Sequence, residues 1–313
     1  MSSDLPTHYV APVSEEQPPT DAVHVRGKPA SLWRDAWSDL RKRPSFWISI
    51  AIVFVILLMA SWPTLFTLTP PANDCQLSNS NAGPAAGHPL GYTFQGCDIW
   101  SRIVFGSRTS ISVGLLATII SSTLGLIMGS LAGYYGGWVD AVLSRIGDIF
   151  FSIPYILAAV VVMTVFSQYR NVLTLAFAIG GFAWAATARV VRAEVLRVKQ
   201  ADFVVASTAL GKSRFGTLLS HVIPNAFAPL LVLATLALAG GIVAEATLSF
   251  LGVGLGSDVM SWGNDIGQAQ PSLRVAPMAL IYPSIALTIT VLAVILLGEL
   301  IRDALDPRAR ARR

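Results

Sequence analysis

Asp202-Phe-Val-Val-Ala206-Ser-Thr-Ala-Leu-Gly211-Lys-Ser-Arg-Phe-Gly-Thr-Leu-Leu-Ser-His221-Val-Ile-Pro224-Asn225 is a partly polar island between two membrane-length apolar runs. Phe203, Val204, Ala206, Ala209 and Leu210 recur at helical spacing, and Gly211 is the residue type that commonly ends a helix. A first short helix is therefore expected to stop near Gly211. Ser213 can cap a second helical stretch through Leu218, Leu219 and Val222, and Pro224 is expected to end it by denying it an amide. The product is a helix-glycine-helix hairpin. Its apolar face suits two uses, docking in a groove of another protein or lying on lipid headgroups.

With 53% hydrophobic and 13% charged residues among 313, the chain lies far from the roughly 25% charged residues of soluble domains. It reads as an all-α, polytopic membrane protein. A spanning helix needs about 20 apolar residues, and six segments qualify: 46–66, 111–132, 149–167, 171–188, 226–251 and 276–298. Only the fifth carries a charge, Glu245.

Six spans put both termini on one side, and the distribution of Lys and Arg chooses that side. The segment before 46 holds six, the 133–148 loop one, the 189–225 loop six and the end from 299 to 313 five. The opposite loops, 67–110 and 252–275 with the short 168–170 connection, hold only Arg102, Arg108, Arg170 and Arg274. Both termini are therefore expected in the cytosol, and the 189–225 loop with its hairpin lies there too. The proline-rich residues 1–30 are expected to be disordered and retained, since the first apolar run begins only at Phe46 and is long enough to span. Residues 31–45 read as an interfacial amphipathic helix, with Leu32, Trp33, Ala36, Trp37 and Leu40 on one face ahead of Arg41-Lys42-Arg43.

Ser121, Gly125, Gly129 and Gly133 form a small-residue stripe on the second span, which permits close packing, chiefly within the chain. Glu245 is costly in a bilayer and so faces protein or water; it either lines a path or hydrogen-bonds a neighbouring helix. Pro154, Pro277 and Pro283 sit in or beside spans and can kink them. Arg145 and Asp148 stand three apart on a helix surface, the spacing of an ion pair.

The only cysteines, Cys75 and Cys97, fall in the first external loop, where a disulfide is expected; a metal site with His88, or free thiols, are the rivals. No metal ligand set is assigned. Gly252 to Val275 has the length of a docking or gating element. Gly211-Lys212-Ser213 suggests a phosphate loop, but that pattern needs a glycine five positions earlier, where Ala206 stands. No Ser-His-Asp grouping or dinucleotide glycine pattern appears, which makes a membrane enzyme the weaker class, with no catalytic residue assigned. A secondary transporter is the stronger rival, but it would show inverted repeats and several intramembrane charges.

The spacing Ala-Ser-x3-Gly-x9-His-x-Ile-Pro resembles the "EAA" loop of ABC-importer permeases, Glu-Ala-Ala-x3-Gly-x9-Ile-x-Leu-Pro, with Gly211 and Pro224 in register. Val205 replaces the pattern's Glu, Ser207 its second Ala, His221 its Ile and Ile223 its Leu. Asp98-Ile-Trp-Ser-Arg102-Ile-Val-Phe-Gly106, Glu245-Ala-Thr-Leu-Ser-Phe-Leu-Gly252, Ser261-Trp-Gly-Asn264 and Leu297-Gly-Glu-Leu-Ile-Arg302-Asp-Ala-Leu-Asp306-Pro-Arg308 also resemble the dipeptide/oligopeptide branch of that family, over most of residues 31–308. Cys97 and the Cys75–Leu90 insert depart from it.

The resemblance implies a type I importer permease fold in a bacterial cytoplasmic membrane and a heteromeric complex. A second, homologous permease completes the path, two cytosolic ATPases bind ATP and Mg, and an external protein delivers substrate; no nucleic acid is involved. Val205, Ala206, Ser207, Leu210, Gly211, Lys212 and Pro224 are the implied ATPase-coupling residues. Di- or oligopeptides are the implied substrates, with nickel complexes, glutathione or a haem-like ligand as alternatives.

Overall fold

The computed structural model describes residues 32–68 and 75–305. The disorder expected for 1–30, and the end from 306 to 313, lie outside the described residues. Eleven α-helices occur among the described residues: α1 Leu32–Leu40, α2 Pro44–Ser61, α3 Ile99–Tyr135, α4 Gly137–Ser152, α5 Tyr155–Val165, α6 Val172–Lys199, α7 Asp202–Ala209, α8 Arg214–Thr217, α9 Ile223–Phe250, α10 Trp262–Ala269 and α11 Met278–Leu305. No strand occurs among the described residues. Five helical stretches are long and apolar enough to cross a membrane, and α4 with α5, bent by 80°, makes a sixth if the pair is one span.

The helices cover the apolar windows but do not stop at the expected ends. The 67–110 segment is not all loop, because Asp98 accepts the Ser101 amide at 2.9 Å and starts α3 at Ile99. Nor is 133–148 a loop: α3 ends at Gly136, and α4 begins at once, an amphipathic helix whose Asp140, Arg145 and Asp148 hid it from a purely apolar reading. The third span is broken rather than straight. Pro154 cannot donate an amide and holds Ile153 extended, at φ −89° and ψ 120°, so the chain turns there.

Helix α6 is the central one, with 56% of its apolar window buried against 22% for α2. The small-residue stripe of α3 packs on it. A Cβ at Gly125 would lie 2.6 Å from Thr187 Cβ, at Gly129 2.5 Å from the Ala188 carbonyl oxygen, and at Gly133 2.9 Å from the Arg192 carbonyl oxygen. Gly180 of α6 returns the contact on the Ala117 carbonyl at 2.5 Å. Backbone therefore meets backbone along most of this interface, which is how small residues let apolar helices associate without a hydrophobic driving force. Asp140 of α4 accepts two bonds from Arg192 of α6, both 2.6 Å, and Asp148 accepts one from Arg189 at 2.8 Å. The Arg145–Asp148 pair exists at 3.7 Å but is the looser of the two that Asp148 makes.

Both described ends lie at the end of the bundle that carries the 202–224 hairpin. There Ala36 and Leu40 of α1 are buried with Phe46 and Ala304, and Arg43 reaches Asp39 at 2.8 Å and Asp303 at 3.4 Å. Trp37 stays half exposed, edge-on to Phe46. Of residues 31–45, expected as one interfacial helix, Leu32–Leu40 form α1, whose Ala36 and Leu40 pack with Ala304 of α11. The opposite end carries α10 and the loop from Cys75 to Asp98.

Candidate functional site

At the hairpin end, α7 continues from α6 after a short turn at Gln200 and Ala201. Gly211 adopts φ +84°; its amide bonds the Thr208 carbonyl at 3.0 Å, and the Lys212 amide bonds the Ser207 carbonyl at 3.2 Å. These two bonds make a Schellman C-cap, the reason a glycine is needed at that point. Ser213 Oγ then accepts the Gly216 amide at 3.2 Å and starts α8. Pro224 does not end the second helix, contrary to the expectation from its missing amide. A widened turn over Leu218–Val222, in which the Ile223 amide reaches back to the Leu218 carbonyl, carries α8 directly into α9, and the Asn225 side chain donates to the His221 carbonyl at 2.6 Å. Pro224 thus sits in the first turn of α9, where a proline is tolerated.

The hairpin has two faces. Val204, Leu218 and Val222 are buried with Tyr134, Val195 and Val198, and the Ser207 and Thr217 hydroxyls meet at 3.3 Å, so this face fixes the hairpin to α3 and α6. The other face is open: Phe203, Val205, Leu210, Phe215 and Leu219 are exposed, Leu210 by 89%. Ala206, Lys212 and Pro224 are exposed as well. Of the expected coupling residues, Ser207 alone faces inward.

Within the bundle, a cavity of about 470 Å³ opens at the α4–α5 break, lined by Ser121, Phe150, Pro154, Tyr155, Phe182 and Gly240 among others. No charged residue lines it. Glu245 lies elsewhere. It is fully buried on α9, where its Oε2 accepts the Ser110 hydroxyl of α3 at 2.8 Å and its Oε1 the Ser249 hydroxyl at 2.9 Å. Ser110 Oγ in turn accepts the Trp262 amide at 3.2 Å, and the Trp262 indole donates to the Ile103 carbonyl at 2.9 Å. Of the two readings of Glu245, the geometry supports the hydrogen bond to a neighbouring helix.

This network seats α10, which closes the bundle opposite the hairpin. Gly263 lies against Ala246, where an added Cβ would meet its Cα at 2.5 Å, and Asp265 pairs with Arg102 of α3 in a buried contact. Burial pushes the Asp265 carboxyl up from the ordinary range, and the Arg102 guanidinium opposes the shift. Within the segment 252–275, read as a docking or gating element, residues 261–265 are buried and pack on the bundle as a cap. Ser110, Trp262 and the Arg102–Asp265 pair carry this cap, and the sequence did not show that they meet. The one signal was Ser261-Trp-Gly-Asn264, in which Ser261 Oγ accepts the Asn264 amide at 3.2 Å as an N-cap.

Cys75 and Cys97 form a disulfide, 22 residues apart in sequence. The sulfurs are therefore not available to a metal, and His88 instead lies 3.3 Å from Asp98. Closing a loop of that length stabilises its ordered form by about 3 kcal/mol in the chain-entropy model. Cleavage of the Cys75–Asp98 loop by added protease is expected to quicken roughly a hundredfold in C75S/C97S or after reduction. Equal cleavage rates with and without reductant would show that the disulfide does not order the loop.

Residues 121–311 match the family described as binding-protein-dependent transport system inner membrane component, and residues 31–84 match the N-terminal TM domain of oligopeptide transport permease C. The oligopeptide transport system permease protein OppC of Bacillus subtilis (strain 168) is 33% identical over 93% of this chain and 94% of its own length. The dipeptide transport system permease protein DppC of Alkalihalophilus pseudofirmus is 30% identical over 98% and 100%, and the glutathione transport system permease protein GsiD of Pectobacterium atrosepticum 32% over 89% and 92%. A solved structure of the MetNI methionine ABC transporter in inward-facing conformations has a chain 22% identical, covering 67% of this chain and 96% of that one, at a TM-score of 0.47. The family match over residues 121–311 and the relatives at 30% identity or more show that the chain is a multi-pass membrane protein that belongs to the family of binding-protein-dependent transport system inner membrane components.

Proposed function

We propose that this chain is one permease subunit of an ATP-driven importer for di- or oligopeptides in a bacterial cytoplasmic membrane, with both termini and the 202–224 hairpin in the cytosol. A second, homologous permease completes the path, an external binding protein delivers the substrate, and two cytosolic ATP-binding subunits hold ATP and Mg. The chain itself contributes no catalytic group. Relatives named for oligopeptide, dipeptide and glutathione transport stand at similar identity. Glutathione is itself a short peptide, and this likeness favours it as the second substrate reading.

One observation carries the proposal: a rigid hairpin joins α6 to α9 with one face anchored in the bundle and a bare apolar face turned away from it. Such a face fits a groove in a partner, the helix-in-groove mode. Movement of the groove then moves α6 and α9, and with them the cavity between α3, α6, α9 and the α4–α5 break. This cavity is the proposed half-path, and its lack of charge suits a peptide whose side chains vary while selection rests with the external protein. Burying Leu210 in a groove is worth about 2 kcal/mol, roughly thirtyfold. In proteoliposomes holding the full complex, Leu210→Asp is expected to lower substrate-stimulated ATP hydrolysis at least tenfold. Gly211→Ala, which forces an L side chain to φ +84° in otherwise open space, is expected to lower it severalfold. Undiminished stimulation in assembled complexes carrying both changes would overturn the proposal.

A further inference from the structure

The charges around the bare face of the hairpin are one-sided. From Asp202 to Asn225 the only acid is Asp202, whereas Lys212 and Arg214 are exposed and neither meets a carboxylate among the described residues. Lys212 Nζ instead lies 3.4 Å from His221 Nε2, a ring that cannot neutralise it. Position 205, in the middle of the exposed helix α7, is a valine with 57% of its surface open. The face therefore offers an apolar centre flanked on its C-terminal side by two unneutralised cations.

Anionic lipid would also suit such a surface, but the helix lengths argue against it. The apolar part of α6 ends at Arg189, and the ten residues from there to Lys199 rise about 15 Å at 1.5 Å per residue. The headgroup layer beyond the hydrocarbon is only about 5–8 Å deep on each side. The hairpin thus stands beyond the lipid surface, within reach of a soluble partner. There, cations on the rim of an interface act through complementary charge, setting partner choice and association rate more than raw affinity.

We propose that the ATP-binding subunit recognised by this chain has a groove with an apolar floor and carboxylates on the side that receives Lys212 and Arg214, so that charge selects the matching ATPase. The proposal rests on the hairpin being the ATPase-docking element. An acid at position 205 would then be repelled by the rim.

The test uses the affinity-purified complex of this chain with its partner subunits and reads the ATP-binding subunit retained at 50 and 500 mM NaCl. Retention by the unaltered complex is expected to fall with salt, and the salt dependence is expected to vanish in K212A/R214A. K212E/R214E is expected to lose retention at least tenfold, and Val205→Glu likewise, with Val205→Gln losing less. Retention unaffected by K212E/R214E, or strengthened by Val205→Glu, would overturn the acidic rim while leaving docking intact. Retention unaffected by Leu210→Asp would overturn docking itself. Quenching of Leu210→Trp fluorescence by vesicles of brominated lipid with 30% phosphatidylglycerol would assign the face to lipid and overturn both.

Discussion

Gly129→Leu is expected to abolish accumulation of the folded chain, and Gly129→Ala to destabilise it by about 2–3 kcal/mol. At Gly129 an added Cβ would sit 2.5 Å from the Ala188 carbonyl oxygen, 2.9 Å from Val191 Cβ and 3.1 Å from the Arg192 amide nitrogen. Two of these three atoms are backbone, so no side-chain rotation relieves the overlap. Helices α3 and α6 would have to part by about 1 Å to restore ordinary contact, and dispersion along the whole interface weakens with such a gap. The loss would spread, because Gly125, Gly133 and Gly180 depend on the same approach. Gly181 is the control: it is on α6, and nothing lies within 4 Å of its added Cβ. Gly181→Ala is expected to be neutral or to gain up to about 1 kcal/mol from helix propensity. Unfolding of the purified chain in mixed micelles of increasing SDS content measures both, and equal midpoints for Gly129→Ala and Gly181→Ala would refute the interface account.

That interface shows what the sequence could and could not reveal. The four-residue spacing of Ser121, Gly125, Gly129 and Gly133 marked a close-packing face, but a face does not name its partner, and nothing in the chain pointed to α6. The hairpin was more legible, because caps are local: Gly211 and Ser213 each act on amides within a few residues. Pro224 misled for the same reason in reverse. Its missing amide is a local fact, but the widened turn at Leu218–Val222 that absorbs it forms where the helix packs on Tyr134 and Val195. Hydropathy found the apolar centres of the helices and missed their polar ends, so the first turns of α3 and most of α4 read as loops. Glu245 was visible as an anomaly, while Ser110 and Trp262, 135 residues before it and 17 after it, were not visible as its companions.

Glu245→Ala is expected to destabilise the subunit by about 3 kcal/mol and to reduce assembly and peptide uptake in equal proportion. Removing the carboxylate leaves the Ser110 and Ser249 hydroxyls without the acceptor they share, and a buried unsatisfied polar group costs about 1–3 kcal/mol. Ser110 matters twice, since the oxygen that donates its proton to Glu245 also accepts the Trp262 amide. Once it is free to rotate, α10 keeps the Arg102–Asp265 pair, the Trp262 indole bond and its apolar packing, but loses the polar link through Ser110. Glu245→Gln should lose much less, because the amide keeps one acceptor oxygen and Ser249 can turn its hydroxyl to receive the new donor. Ser110→Ala should cost about 1–2 kcal/mol, and the double variant S110A/E245A should cost less than the two single changes added together, with a coupling of at least about 0.5 kcal/mol. A path residue would behave differently: uptake would fall far more than assembly, the Gln variant would resemble the Ala variant, and Ser110 and Glu245 would act additively on stability. Measuring uptake per assembled complex separates the two. Positioning is the expected result because Glu245 is sealed between α3, α9 and α10, apart from the uncharged cavity at the α4–α5 break that we propose as the half-path.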